Sequence, residues 1–186
     1  SYRMKRLGSE GDAFDVIVAS GKNSSMPHAK PTTRKLREKD IVLMDFGAIV
    51  NGYRSDITRT VFIGRPTDEE RKIYQIIFDA QDIALSNAKE GLLAKDLDGL
   101  ARDYISSKGY GKYFMHSLGH GLGLRVHQNP KVSFLSDEIL KENMIITIEP
   151  GIYLPERFGI RIEDDIVVKR NSSINLTKST KEIIII

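Results

Sequence analysis

Along the first third of the chain, apolar residues alternate with polar ones in a strand-like rhythm. Residues 41–49 and 53–63 are two such β-rich runs, and Asn51-Gly52 between them is a strong hairpin signal. The rhythm turns helical after Thr67. Thr67 and Glu70 form a capping-box pattern, and Ile73, Ile76, Ile77, Ala80 and Ala84 make an apolar stripe running toward Gly91 as its stop. A second helix is expected over roughly 95–108, with Leu97, Leu100, Ala101, Tyr104 and Ile105 on one face and Gly109 as its end. Both stripes suit scaffold helices facing a core. Period two then returns, with Ile146 and Ile148 alternating with Thr147 and Glu149, and Ile160 and Ile162 with Arg161 and Glu163. The isoleucines 183–186 read as a last strand.

Composition narrows the class. At 186 residues and 40% hydrophobic, the chain can bury one core. It has no apolar run of membrane-spanning length and no signal-peptide pattern at its start. Zero cysteines exclude a disulfide framework and suit a cytoplasmic enzyme. The net charge of +3 comes from scattered rather than clustered Lys and Arg, so neither nucleic acid nor a membrane is an expected partner.

The candidate chemistry lies in the polar positions of the strand-like runs. A two-residue turn at 50–51 or 51–52 puts Asp45 opposite or diagonal to Asp56, on one face in either register. Two such carboxylates repel each other, and a cation between them would relieve the repulsion; two solvated acids on an exposed face are the plain alternative. Glu149 and Glu163 form a second pair on polar faces of neighbouring strands, although Pro150-Gly151 leaves their register open. A surface pair between Arg161 and Glu163 is the alternative there. The four histidines, His28, His116, His120 and His127, all fall in Gly- or Pro-punctuated segments, three of them within twelve residues. Gly119, Gly121 and Gly123 make an ordinary helix a poor reading of that stretch. Four carboxylates and an imidazole are a hard donor set, suited to hydrolytic divalent ions such as Mn, Co, Fe or Zn.

Five blocks carry a specific likeness: VASGKNSSMPHAKPT (18–32), MDFGAIVNGYRSDITRT (44–60), FMHSLGHGLGLRVH (114–127), ITIEPGIY (146–153) and GIRIEDDIVV (159–168). In this order they resemble the catalytic domain of the Xaa-Pro peptidases, aminopeptidase P and prolidase, within the methionine aminopeptidase group of pita-bread fold. The resemblance implies an α+β fold with a curved antiparallel sheet flanked by helices and a pseudo-two-fold duplication. It implies two divalent ions held by Asp45, Asp56, His120, Glu149 and Glu163. Glu149 would be the acid–base group, His127 and His28 further catalytic residues, and His116 and Arg161 substrate contacts. The expected substrate is a peptide with proline second; a homodimer is left open.

Family members commonly carry acidic residues where this chain has Arg125 and Gln128, which bears on substrate preference rather than metal. A methionine aminopeptidase and a non-enzymatic pita-bread binding module are the rival readings. The duplication is visible in the sequence, where 7–21 and the aspartate hairpin parallel 108–121 and the glutamate pair at offsets near 100. By that symmetry the 1–186 catalytic domain lacks on the order of 40 residues of N-terminal helix. A separate N-terminal domain, usual in full-length members of that group, is expected to be missing as well, and bare apolar surface is expected near Val16, Ile17 or residues 41–63.

Overall fold

The structure is a computed structural model and describes residues 1–186. A short helix, α1 (Tyr2–Arg6), precedes strand β1 (Ile17–Ser20) and a 3₁₀ turn at Gly21–Ser25. Strands β2 (Ile41–Phe46), β3 (Ile49–Val50), β4 (Tyr53–Arg54) and β5 (Ile57–Phe62) follow. Helices α2 (Asp68–Asn87) and α3 (Ala94–Ser107) form the middle. A 3₁₀ turn at Gly111–Tyr113 leads into β6 (Gly119–Gly121), β7 (Gln128–Val132), β8 (Ile145–Ile148) and β9 (Gly151–Leu154). The chain closes with β10 (Phe158–Arg161), β11 (Asp164–Val168), β12 (Ser173–Asn175) and β13 (Ile184–Ile185).

The first sheet has the order β1-β2-β5-β13 and the second β12-β11-β8-β6-β7, with β9-β10 and β3-β4 as two-stranded ladders. The trios β1-β2-β5 and β6-β8-β11 repeat the same antiparallel order, which is the duplication expected from the sequence. The last strand departs from the antiparallel expectation: β13 runs parallel to β5, pairing Ile184 with Val61. The apolar run at 183–186 carries no signal for the direction of its partner.

Helix α2 starts as its sequence predicts. Thr67 Oγ accepts the Glu70 N–H and the Glu70 carboxylate accepts the Thr67 N–H, a cap that contributes about 1 kcal/mol. Its end differs, at Ala88 rather than Gly91. Ala88 is buried in the core, and backbone bonds from Glu90 to Lys169 and from Gly91 to Leu140 draw the chain out of the helix early. In α3 the buried face is Ala94, Leu97, Asp98, Ala101 and Ile105, while Leu100 is exposed. Asp98 takes the inward position because it has work there: it accepts the Leu118 N–H at 2.9 Å and two bonds from Arg102. Arg102 in turn donates to the carbonyls of Phe114 and His116, so α3 fixes the histidine segment.

Both long helices pack into one core with the second sheet, reaching the first sheet at Ile41 and Phe62. The bare apolar surface expected near the start lies within 41–63 rather than at Val16 and Ile17: those two are half-buried and Ile41, Val42 and Leu43 buried, whereas Val50 and Tyr53, with Val18 beside Ile17, are exposed.

Candidate active site

The hairpin sets the first acidic pair. Asn51 and Gly52 both have positive φ, 52° and 78°, as a type I′ turn requires, and the turn is centred on them. Val50 therefore pairs with Tyr53 and, farther down, Asp45 with Thr58, leaving Asp56 diagonal to Asp45. Between the two ladders the strands approach closely at Gly47, where a Cβ would stand 1.9 Å from the Ser55 carbonyl oxygen. Ser55 Oγ accepts the Ala48 N–H, and the Asp56 N–H donates to buried Asp165.

The second pair lies where a ladder ends. Ile148 pairs with Asp164, the last rung between β8 and β11, so the next residues outward are Glu149 and Glu163. Each glutamate backbone is tied across: the Glu149 N–H donates to Leu118 and the Glu163 N–H to Thr58. Side chains continue the pattern. Thr58 Oγ1 donates to Glu163 Oε2 at 2.6 Å and accepts from Arg161 Nε, while Thr147 Oγ1 donates to Glu149 Oε1 at 3.3 Å. An Arg161–Glu163 surface pair is excluded, since both are buried, and Arg161 instead contacts Asp45 Oδ2 at 2.5 Å.

His120 comes in on β6 between the two pairs. Its Nδ1 donates to the Gly121 carbonyl, which leaves Nε2 as a bare acceptor 3.7 Å from Asp56 Oδ2 and 3.5 Å from Glu149 Oε1. Burial holds the ring neutral by lowering its pKa to about 4. Asp56, His120 and Glu163 present ligand atoms all within 4.8 Å of one another.

Such a cluster is frustrated without a cation. Burial first, then the charges of Asp45, Glu149 and Asp165, push Asp56 up to about 9. Burial likewise raises Glu149 to about 8, and Glu163 and Asp45 above the usual carboxylate range. Asp45 Oδ1 and Asp56 Oδ1 are buried with no hydrogen-bond partner. Orphaned carboxylate oxygens beside a bare imidazole nitrogen, in an oxygen-dominated set, fit a divalent ion of the Mn, Fe, Co or Zn kind.

All nine residues singled out in the sequence line one cavity of about 700 Å³: the five acid and imidazole donors with His28, His116, His127 and Arg161. His28 and His127 are exposed at it, and the His127 ring lies 4.2 Å from that of His120. His116 is more enclosed. Its Nδ1 donates to the Ser117 carbonyl and its Nε2 accepts from the Tyr153 hydroxyl, which itself accepts from Arg161 Nη1. Burial lowers His116 to about 3 and raises Tyr153 to about 12, so the relay stays uncharged apart from Arg161.

Of the two departures from the family pattern, Arg125 is exposed outside the cavity while Gln128 lines it, as does Lys131, opposite His120 on β7. Thr58, Thr147, Tyr153 and Asp165 join the site through hydrogen bonds that the strand pattern alone does not specify. The pattern does give the face of the two threonines, each two residues from an acid and so on the same strand face.

Comparison with known proteins agrees with this geometry. A model of metallopeptidase family M24 matches residues 1–170. The chain is 47% identical over 183 residues to the Xaa-Pro dipeptidase of Pyrococcus furiosus, covering 98% of this chain and 53% of that protein. It is 49% identical over 185 residues to an uncharacterized peptidase of Bacillus subtilis, covering 100% and 52%. Among solved structures, the X-Pro aminopeptidase from Thermotoga maritima matches with a TM-score of 0.97 at 48% identity, over 100% of this chain and 52% of that one. The Pyrococcus furiosus prolidase gives 0.95 at 47%, over 96% and 53%. The chain thus spans about half the length of the relatives it matches, and its architecture is the expected pita-bread fold. The chain belongs to metallopeptidase family M24, whose metal requirement the converging Asp, His and Glu donors can meet.

Proposed function

We propose that this chain carries the hydrolytic site of a cytoplasmic Xaa-Pro peptidase, cutting the bond between an N-terminal residue and a following proline. The observation that carries the reading is the bare His120 Nε2 facing carboxyl groups from both halves of the fold, with orphaned Asp45 and Asp56 oxygens beside it. Substrate class is supported by relatives named Xaa-Pro dipeptidase or X-Pro aminopeptidase.

Asp45, Asp56, His120, Glu149 and Glu163 would hold two divalent ions, Mn, Co, Zn or Fe. When bound, the ions supply Lewis-acid polarisation of the peptide carbonyl and acidify a water. Glu149 is placed to move protons, because it faces the cavity and is held by one long hydrogen bond. It takes the proton of the attacking water and returns one to the leaving proline nitrogen. His28 and His127 offer ring nitrogens at the open side, where charge develops on the carbonyl oxygen. Tyr153 and Arg161 hold His116 in one tautomer as a fixed wall of the cavity.

The test is hydrolysis of Ala-Pro, Ala-Pro-Pro and Met-Ala by the full-length protein, with Mn or with chelator. Cleavage before proline that needs Mn is the expected result. Cleavage of Met-Ala with Ala-Pro untouched would make the protein a methionine aminopeptidase, and bound metal without any hydrolysis would make it a binding module.

A further inference from the structure

Behind the acid cluster lies a second, fully buried polar assembly. Gln81 interrupts the apolar stripe of α2, standing four residues after Ile77 and fully enclosed. Its side-chain Nε2 donates to the carbonyl of Ile148 at 3.0 Å and to that of Ile162 at 3.3 Å. These are the residues immediately before Glu149 and Glu163. Ile148 is on the last rung of the β8–β11 ladder and Ile162 lies just beyond it, so Gln81 supplies a donor to both carbonyls where the ladder ends.

The orientation of that carboxamide is itself fixed. Lys181, from the segment before β13, donates to Gln81 Oε1 at 3.0 Å, which forces Nε2 toward the two carbonyls. Lys181 also lies 3.3 Å from Asp164, whose other oxygen is paired with Arg59 at 2.7 Å. Arg59 closes the circuit by donating to the carbonyl of Glu163 and to those of Ser179 and Thr180. One helix, one strand of the first sheet and the C-terminal segment thus converge on the backbone that carries the two glutamates.

We propose that Gln81 is a positioning residue for the metal centre: its carboxamide, aimed by Lys181, sets the spacing of Glu149 and Glu163 by tying together the carbonyls that precede them. The physical reason is leverage. Each carbonyl is one residue from a glutamate Cα, and outer-shell partners of metal ligands typically affect metal affinity by about 10–100-fold. This inference rests on the metal-site reading above.

The experiment uses Gln81→Met, Lys181→Met and a control, Ile105→Val, which trims the core within α3 away from the assembly. Two readouts are taken on the folded full chain: calorimetric titration with Mn, and amide hydrogen exchange in the absence of metal at Glu149 and Glu163. Gln81→Met should weaken Mn binding about 10–100-fold and Lys181→Met by less. Both should speed exchange at those two amides, and Ile105→Val should change neither readout. Should Gln81→Met fail to fold, Lys181→Met, at a partly exposed site, carries the same test. Unchanged exchange at Glu149 and Glu163 would overturn the proposal even if the parent bound no metal. A parent without Mn binding would overturn only the metal-site reading, and a parent that binds Mn no better than folded Gln81→Met would overturn the positioning role alone.

Discussion

The aspartate pair and the glutamate pair take corresponding places in the two halves of the fold, yet they are held by different means. Asp45 and Asp56 are set by the main chain: a two-residue turn at Asn51-Gly52, one register through two ladders, and a close approach at Gly47 that admits no side chain. Glu149 and Glu163 lie beyond the end of their ladder and are set by side chains, Thr147 from the same strand and Thr58 and Gln81 from the opposite sheet and a helix. A tight hairpin can position its own acids. A frayed ladder end cannot, so it draws on a helix and on the opposite sheet.

The largest effect should come from removing one donor from each half. Asp56→Asn and Glu163→Gln should both bring Mn-dependent hydrolysis to background and cost metal affinity, read by calorimetry, because one centre spans both pairs. Loss confined to the Asp56 variant would mean that the halves act separately. Glu149→Gln should also abolish turnover. His127→Ala should keep its metal and lose about 10²–10³-fold in rate, the range for one electrostatic donor. Equal loss of metal from those last two variants would erase the distinction between ligand and pocket histidine.

A smaller effect tests the backbone. Gly47→Ala and Gly119→Ala each place a Cβ 1.9 Å from a carbonyl oxygen, that of Ser55 in the first half and of Thr147 in the second. Each should cost about 1–3 kcal/mol in urea unfolding, the range for overpacking, where neighbours must move. The two costs should be similar, because the clash is with backbone in both halves and each aspartate has a side-chain partner of its own, Arg161 for Asp45 and Asp165 for Asp56.

The smallest effect is a pH trend in the apoprotein. Asp56, Glu149 and Asp165 titrate at about 9, 8 and 7, above ordinary carboxylate values of about 4 in an unfolded chain. Between those limits the folded form binds more protons than the unfolded one, so stability falls as pH rises from about 4 and this contribution is gone above about pH 9. His116 and His120, lowered to about 3 and 4 by burial, act in the other sense, and their contribution falls as pH drops below about 6.5. Three raised carboxyls outweigh two lowered imidazoles, so in chelator the melting temperature should keep rising as pH falls toward about 4–5, and added Mn should remove the alkaline decline because ions replace the protons. An identical alkaline decline with and without Mn would count against ion binding at this cluster.

The same contrast decides what the sequence makes legible. The aspartate hairpin can be worked out from Asn51-Gly52 and strand alternation because its geometry is local, and the structure selects the diagonal of the two registers left open. Helix α2 begins at its capping box for the same reason. The glutamate register is hidden because Pro150 and the bend near Ile162 break the ladder, and only pairing between β8 and β11 fixes it. Leu100 and Gly91 were misread where tertiary contacts outweighed local pattern, through inward Asp98 and buried Ala88. Gln81 does leave a trace in the sequence: an uncharged polar residue at a stripe position of an otherwise apolar helix face needs buried partners.

The central claim is that donors from both halves form one divalent-metal centre. Anomalous diffraction from crystals of the full-length protein grown with Mn tests it most directly. Two anomalous peaks enclosed by Asp45, Asp56, His120, Glu149 and Glu163 are expected, with ligand atoms from both sheets around them. Strong Mn peaks elsewhere, with these five side chains metal-free under the same conditions, would contradict it.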